Sequence, residues 1–353
     1  MKVANNSRRA GTLRKDADSC DSVYQGYQCQ PNISHYWGQY SPYFSVPSDI
    51  PAEVPEGCHI TFAQVLSRHG ARDPTFTKTL EYAAIIAKIH SNVRNFSGEF
   101  AFLKDYRYKL GADQLTSFGQ QGLVNSGITF YNRYRSLTQH STPFVRASGQ
   151  KRVIQSAQNF SQGFRAAKLA DKESSGSDRY PYPIVVIPEE DGMNNTLDHG
   201  LCTEFEEGPD AHTGFEAQKE WVEKWVPPIT ARLNANLPGA NLDDFETIHF
   251  MDLCPFETVA SPTGQVSVFC GLFSEKEWRQ FDYHQSLGKY YQYGNGNPLG
   301  PTQGVGFANE LIARMTGKPV NDHTTVNHTL DDSHSTFPIG PGHNLFADFS
   351  HDK

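Results

Sequence analysis

The segment Arg68-His69-Gly70-Ala71-Arg72-Asp73-Pro74 sets a histidine between two arginines, directly after an apolar run over residues 60–66 that reads as a buried strand. Histidine can act as a covalent nucleophile. Arginine offers a planar fork of donors that fits phosphate oxygens and stays charged at any working pH. Attack on phosphorus asks a protein mainly for positioning and positive charge. The heptapeptide therefore suggests a phosphoryl-transfer centre. Two later segments could join it: Pro143-Phe144-Val145-Arg146-Ala147-Ser148 and Ser350-His351-Asp352. Either one alone would be unremarkable, since His-Asp pairs are common on surfaces and a lone Arg-His-Gly is usually a solvated turn.

The elements around these residues alternate between strand and helix patterns. Residues 80–93 carry Leu80, Ala83, Ala84, Ala87 and Ile89 at helical spacing. Residues 115–137 form a second helical region, with Leu123, Val124, Ile128 and Tyr131 on one face. A short strand over 143–148 ends at Gly149, and residues 150–169 are helical with a stripe of Val153, Ala157, Phe160 and Phe164. Residues 172–180 read as an exposed loop and 183–188 as a buried strand. The pattern over 217–237 is helical but broken at Pro227-Pro228; 305–315 is a helix closed by Gly317, and 345–349 is a last strand that delivers His351-Asp352. Such alternation predicts an α/β fold, a mostly parallel central sheet with flanking helices. Ligands in these sheets sit beyond the carboxyl ends of the strands. Arg68-His69, Arg146 and His351-Asp352 are all expected at such ends, an independent reason to group them.

Arg-His-Gly-x-Arg-x-Pro resembles the signature of the histidine acid phosphatases, and the Arg146 segment and His351-Asp352 resemble that family's later motifs. Residues 29–41, 62–74 and 297–311 resemble the secreted fungal phytases of the family. The resemblance runs from about Cys20 to the last residue. It implies a large α/β part with a smaller, mainly helical part made from insertions. It also implies roles. His69 would attack phosphorus and carry a phosphohistidine; Arg68, Arg72 and Arg146 would clamp phosphate oxygens. His351 would add a donor, and Asp352 would protonate the leaving alkoxide. The substrate would be phytate or another phosphomonoester. No metal or other cofactor is implied, because the arginines do the electrostatic work.

Further substrate contacts are implied at Lys78, at Lys289 and at Gln39 in Trp37-Gly38-Gln39-Tyr40. Surface lysines are usually only solvated charges, so the two lysines rest on the resemblance. The chain departs from the family at three places. Gly288 stands where phytases often carry another lysine. Asp73 replaces a common tyrosine and sets a negative charge beside the clamp. Lys353 replaces the asparagine that usually follows His-Asp. A broad-specificity acid phosphatase is the alternative of the same class. A catalytically silent phosphate-binding fragment is the alternative of another class.

At 353 residues the chain can bury a large core. A net charge of −8 argues against nucleic-acid binding but not against an anionic substrate in a locally basic pocket. No apolar run reaches membrane-spanning length, so no membrane partner is expected, and the chain is expected to act as a monomer. Residues 1–15 lack the apolar core of a signal peptide. Six cysteines and six Asn-x-Ser/Thr sequons, at Asn5, Asn32, Asn95, Asn159, Asn194 and Asn327, nevertheless suit a secreted, extracellular glycoprotein. Residues 1–19 are expected to be a disordered tail, and 20–353 an incomplete histidine acid phosphatase domain. The resemblance implies bridges Cys20–Cys29 and Cys254–Cys270. It pairs the counterparts of Cys58 and Cys202 with cysteines beyond the His-Asp pair, so both are expected unpaired here.

Two other signals carry less. Gly300-Pro301-Thr302-Gln303-Gly304-Val305-Gly306 lacks the Gly-Lys-Ser/Thr ending of a nucleotide loop and reads as a helix entry. His323, His328 and His334, with Asp322, Asp331 and Asp332, have no compact metal-ligand spacing.

Overall fold

The computed structural model describes residues 21–51, 53–175, 179–198, 200, 202–262 and 264–352. The expected tail, Cys20 and Lys353 lie outside the described residues.

Two short strands, β1 (Asp21–Ser22) and β2 (Gly26–Tyr27), pair as a hairpin. Among the described residues the main sheet has four strands: β3 (Ala63–Arg68), β4 (Phe144–Ser148), β5 (Ile184–Ile187) and β6 (Leu345–Ser350). All its pairings are parallel, in the order β3-β6-β4-β5. The last strand in sequence thus enters between β3 and β4. That insertion brings His351-Asp352 beside the heptapeptide, 282 and more residues apart in sequence order by number alone (His351 less His69).

Strand β3 begins later than the apolar run over 60–66. Pairing starts at Ala63, whose N–H donates to the Asn344 carbonyl (2.9 Å), because only there does β6 supply a partner. It then runs on to Arg68, and the His69 N–H still donates to the Ser350 carbonyl (2.9 Å).

Side-chain alternation gives the sheet two different faces. Ala63, Val145, Ala147, Leu345, Ala347 and Phe349 pack with helices α2 (Ser117–Arg133) and α3 (Lys151–Ala170). These two helices touch backbone to backbone. A Cβ on Gly127 would lie 2.1 Å from the Phe160 carbonyl oxygen, and one on Gly163 would lie 1.9 Å from that of Val124. The opposite face carries Phe144, Arg146, Phe346 and Asp348, and it meets α8 (Val305–Thr316) through Glu310 and Arg314. Gly317, at φ 67°, closes α8.

A second, wholly helical core stands beside the sheet. It is built from α1 (Phe76–Asn92), α4 (Thr213–Trp225), α5 (Pro227–Asn236), α6 (Asp244–Ala260) and α7 (Glu275–Tyr293) around Tyr82, Trp225, Met251, Phe256 and Trp278. Each such side chain contributes roughly 1.5–3 kcal/mol on full burial. Helix α1 starts four residues ahead of its apolar stripe because the Thr75 side chain caps it. The helical pattern over 217–237 is divided at Pro227-Pro228 as expected: α4 ends at Trp225, and the two prolines begin α5 at positions where no N–H is needed.

Cys254 and Cys270 form the expected disulfide, tying α6 to the turn before α7. Cys29 is disulfide-bonded. Cys58 and Cys202 are free, as expected. In the loop after α8, His328 lies 3.1 Å from both Asp322 and Asp331, one on each ring nitrogen, which makes an ion-paired clasp.

Candidate active site

The heptapeptide leaves the carboxyl end of β3 and crosses the starts of α2 and α3. The Gly70 N–H donates to Ser156 Oγ on α3 (3.0 Å), and Thr116, the cap of α2, donates its N–H to the Ala71 carbonyl (3.0 Å). Gly70 is required sterically: a Cβ there would lie 2.5 Å from the Gly119 carbonyl oxygen. The motif's glycine lets a helix backbone seat directly against the residue after His69.

His69 is buried, with 5% of its surface exposed. Its Nδ1 lies 2.9 Å from the Gly70 carbonyl oxygen. A carbonyl can only accept, so Nδ1 carries the proton and Nε2 keeps its lone pair. Burial first, then the charges of Arg68, Arg72 and Arg152, bring the ring's pKa down to about 3. The imidazole is therefore neutral across the mildly acidic range, the state a nucleophile needs.

Three guanidiniums act on this ring. Arg68 donates from Nη1 to the Gln39 carbonyl (2.9 Å), and its Nη2 lies 3.3 Å from Asp352 Oδ2. Arg72 donates from Nη1 to the Asp73 carbonyl (2.9 Å). Arg152 stands in the first turn of α3, with Nη1 3.6 Å from Asp113 Oδ1. The Nε–H of each is buried without a hydrogen-bond partner in the protein. Burial pulls Arg68 and Arg152 below the ordinary arginine value, and the nearby Arg72 charge pulls both further the same way. Crowded cations with unmet donors are stabilised by an anion placed among them.

Strand β6 adds the fourth side. His351 Nε2 lies 2.8 Å from Glu189 Oε1, and its ring stands edge-on to His69, 5.8 Å between centroids. Burial alone would raise Glu189, but bonding to His351 reverses this and brings its pKa to about 2. Asp352 Oδ2 lies 2.9 Å from Lys289 Nζ, which also sits 4.9 Å over the Tyr293 ring. Burial would raise Asp352 too; Arg68 and Lys289 more than offset it and hold the carboxyl below the usual range.

A further group lines the wall toward the helical core. Lys78 Nζ is 2.7 Å from His249 Nε2 and 3.0 Å from Glu81 Oε2. The Gln39 side chain donates to Gln285 Oε1 (3.2 Å) while its carbonyl holds Arg68. Asp73 turns its carboxylate to the Gly111 backbone, and burial pushes its pKa up.

The family model of the histidine phosphatase superfamily (branch 2) matches residues 59–353. This chain belongs to that superfamily. It is 52% identical over 339 residues to Phytase A of Aspergillus oryzae, covering 95% of this chain and 72% of the relative. It is 51% identical over 363 residues to Phytase A of Neurospora crassa, covering 97% and 70%. Among solved structures, the phytase from D. castellii matches with a TM-score of 0.65 at 22% identity, covering 91% of this chain and 66% of the other. A Bifidobacterium longum multiple inositol polyphosphate phosphatase, in complex with inositol hexasulfate, matches at 0.59 and 15% identity, covering 90% and 79%. At these identities the two structures speak for the fold, which is that of the histidine phosphatases.

One expected site residue of this histidine phosphatase is elsewhere. Arg146 has no exposed surface; it is enclosed by Asp348 (Nε to Oδ1, 2.7 Å) and Glu310 (Nη2 to Oε2, 2.6 Å) under α8. It lies two residues before the end of β4, so alternation turns it onto the sheet face instead of past the strand end. The arginine near His69 is Arg152, six residues on. The signal was available: in an α/β sheet the position to search is the helix start after the strand. Glu189, just beyond β5, was also not singled out; the same rule would have pointed to it. Arg68, His69, Arg72, His351, Asp352, Lys289 and Gln39 fall together, and Lys78 stands on the adjoining wall.

Proposed function

We propose that this histidine phosphatase hydrolyses phosphomonoesters through a phosphohistidine on His69 and that phytate is its substrate. The observation that carries the reading is the neutral, buried His69, with Nδ1 tied to Gly70 and Nε2 free to attack amid Arg68, Arg72 and Arg152. The names of the relatives, Phytase A at about half identity, support the substrate.

In the first step Nε2 forms a bond to phosphorus as the bond from phosphorus to the ester oxygen breaks. Arg68, Arg72, Arg152 and His351 meet the charge spread over the phosphoryl oxygens. Asp352 gives its proton to the leaving alkoxide. That requires Asp352 to become protonated, although Arg68 and Lys289 favour its ionised form. A phosphate anion settling on Arg68 and Lys289 weakens that hold, so substrate binding itself prepares the acid. Water then attacks phosphorus as its bond to Nε2 breaks; the Asp352 carboxylate takes the proton from that water, inorganic phosphate leaves, and His69 and the acid are restored.

A broader phosphomonoesterase is the second reading. It is favoured by Gly288 beside Lys289 and by the pairing of Lys78 with Glu81. The ratio of rates on phytate and on an aryl phosphate separates the two. An extracellular setting is supported by the Cys254–Cys270 disulfide. Asn32 and Asn95 are exposed sequons and the proposed carriers of sugar.

The test is phosphate release from phytate at mildly acidic pH by this chain and by His69→Ala. Release that vanishes in the variant supports the nucleophile. Equal release from both sinks the reading of residues 68–74. No release from either would make the chain a silent binder.

A further inference from the structure

Lys78 lies in the first turn of α1, directly behind the heptapeptide. Its Nζ lies 2.7 Å from His249 Nε2, and the His249 ring meets Tyr82 edge-on; Tyr82 and Tyr40 both pack on Phe256, and Gln39, next to Tyr40, holds Arg68 through its carbonyl. The ammonium thus belongs to the wall that continues from the arginine clamp. One turn along the same helix, Glu81 Oε2 lies 3.0 Å from Lys78 Nζ and 3.6 Å from His249 Nε2. That oxygen is shielded from water and has no hydrogen bond of good geometry, so the lysine's charge is its main compensation. His249 adds none: burial, then Lys78, holds its pKa down to about 4. Lys78, Glu81 and neutral His249 together carry no net charge.

The two lysines of the site differ in this respect. Lys289 is paired with Asp352, a carboxyl that must take up a proton for the reaction, so the chemistry itself releases the lysine. Lys78 is paired with a carboxylate that no step of the reaction neutralises.

We infer that Glu81 is a specificity-determining residue, which lowers discrimination in favour of a polyphosphorylated substrate by occupying the Lys78 ammonium that a second substrate phosphate would meet. The inference rests on the proposed hydrolysis of phosphate esters at His69, and it names which part of a substrate Glu81 acts on. A substrate with a single phosphate, held at the arginines, has no second phosphate to offer this pair. A second phosphate on the same molecule would have to displace a carboxylate and then lie beside it, which like charges oppose.

Glu81→Gln keeps the side chain's shape and removes its charge. On phytate it should raise kcat/KM about two- to five-fold, the size expected of a half-exposed pair. On 4-nitrophenyl phosphate it should change nothing. In a Lys78→Ala background the gain should shrink, because only the repulsion by Glu81 is left to remove. Affinity for phytate, measured by calorimetry on His69→Ala with and without Glu81→Gln, should tighten by the same factor, with inorganic phosphate unaffected. Unchanged or weaker phytate binding on Glu81→Gln overturns the inference, as does a gain undiminished in Lys78→Ala or one that appears equally with the aryl phosphate. Failure of the underlying reading looks different. A chain that turns over no phytate, yet binds it more tightly after Glu81→Gln, would refute the proposed hydrolysis and keep the role of Glu81.

Discussion

Two groups of arginines, one buried and one half-buried, stand near the carboxyl end of the sheet, and they are built on opposite principles. Under α8, Arg146 and Arg314 face Glu310 and Asp348: two positive and two negative groups, all buried. Arg314 also stacks on Phe346, 4.4 Å from its centroid. Each charge there has its partner inside the protein. At the carboxyl end of the sheet, Arg68, Arg72 and Arg152 crowd one neutral histidine; Asp352 pairs with Arg68 but is shared with Lys289, and Asp113 stands 3.6 Å from Arg152. Nε donors are left over on all three, as one is on Arg314, so the charge balance separates the two groups. The closed group organises the sheet because its charges cancel. The open group can bind and transfer a phosphoryl because its charges do not. An arginine's role is thus set by what faces it.

The contrast can be broken by variants, starting at the open end. Asp352→Asn should lower kcat on phytate about 10²–10⁴-fold, the value of a positioned general acid. On 4-nitrophenyl phosphate, whose leaving group needs little help, the loss should be much smaller. Equal losses on both would remove Asp352 from the acid role. At the closed end, Arg146→Ala leaves Glu310 and Asp348 facing Arg314 alone. It should cost about 3–5 kcal/mol in urea unfolding. A variant of unchanged stability but no turnover would restore Arg146 to the clamp. Arg152→Ala should do the reverse, lowering kcat/KM about 10²–10³-fold while shifting stability by less than about 1 kcal/mol.

The smallest effect sharpens the comparison through pH. Asp252 is buried like Asp348 but has no arginine: Tyr82 donates to one oxygen (2.8 Å) and the other has no hydrogen-bond partner. Burial pushes its pKa up to about 6, from 3.8. A carboxyl whose folded pKa is raised favours the folded state most below its unfolded value, and that contribution is lost as pH rises through about 6. Asp252→Asn should therefore gain roughly 2–3 kcal/mol of stability at pH 7.5 and little at pH 3.5. A gain that is the same at both pH values would mean that Asp252 is not protonated in the fold.

Much of this architecture was legible in the sequence. Helices with one buried stripe, such as α3 and α8, stood out by spacing. Helices α6 and α7 did not. Helix α6 is buried on nearly all sides, from Ile248 through Val259, so no polar face gives it a period, and Pro255 inside it suggests a break. Their starts could have been read: Asp243 with Glu246, and Ser274 with Glu277, are capping boxes. At the site, the heptapeptide and His351-Asp352 were visible because their chemistry is compact in sequence. Arg146 and Arg152 share a residue type, and only strand alternation turns the first onto the sheet face while the second stands at the helix start.

By itself the sequence determined the heptapeptide and the late His-Asp pair, the alternation of strands and helices, and the family, since motif letters and periodicity are local properties. Only the tertiary structure decided which arginine is spent on internal carboxylates and which stays open, that Glu189 braces His351, and that Glu81 holds Lys78. These depend on side chains brought together by the insertion of β6 between β3 and β4 and by the docking of α8, and no local pattern records which charge a buried charge will meet.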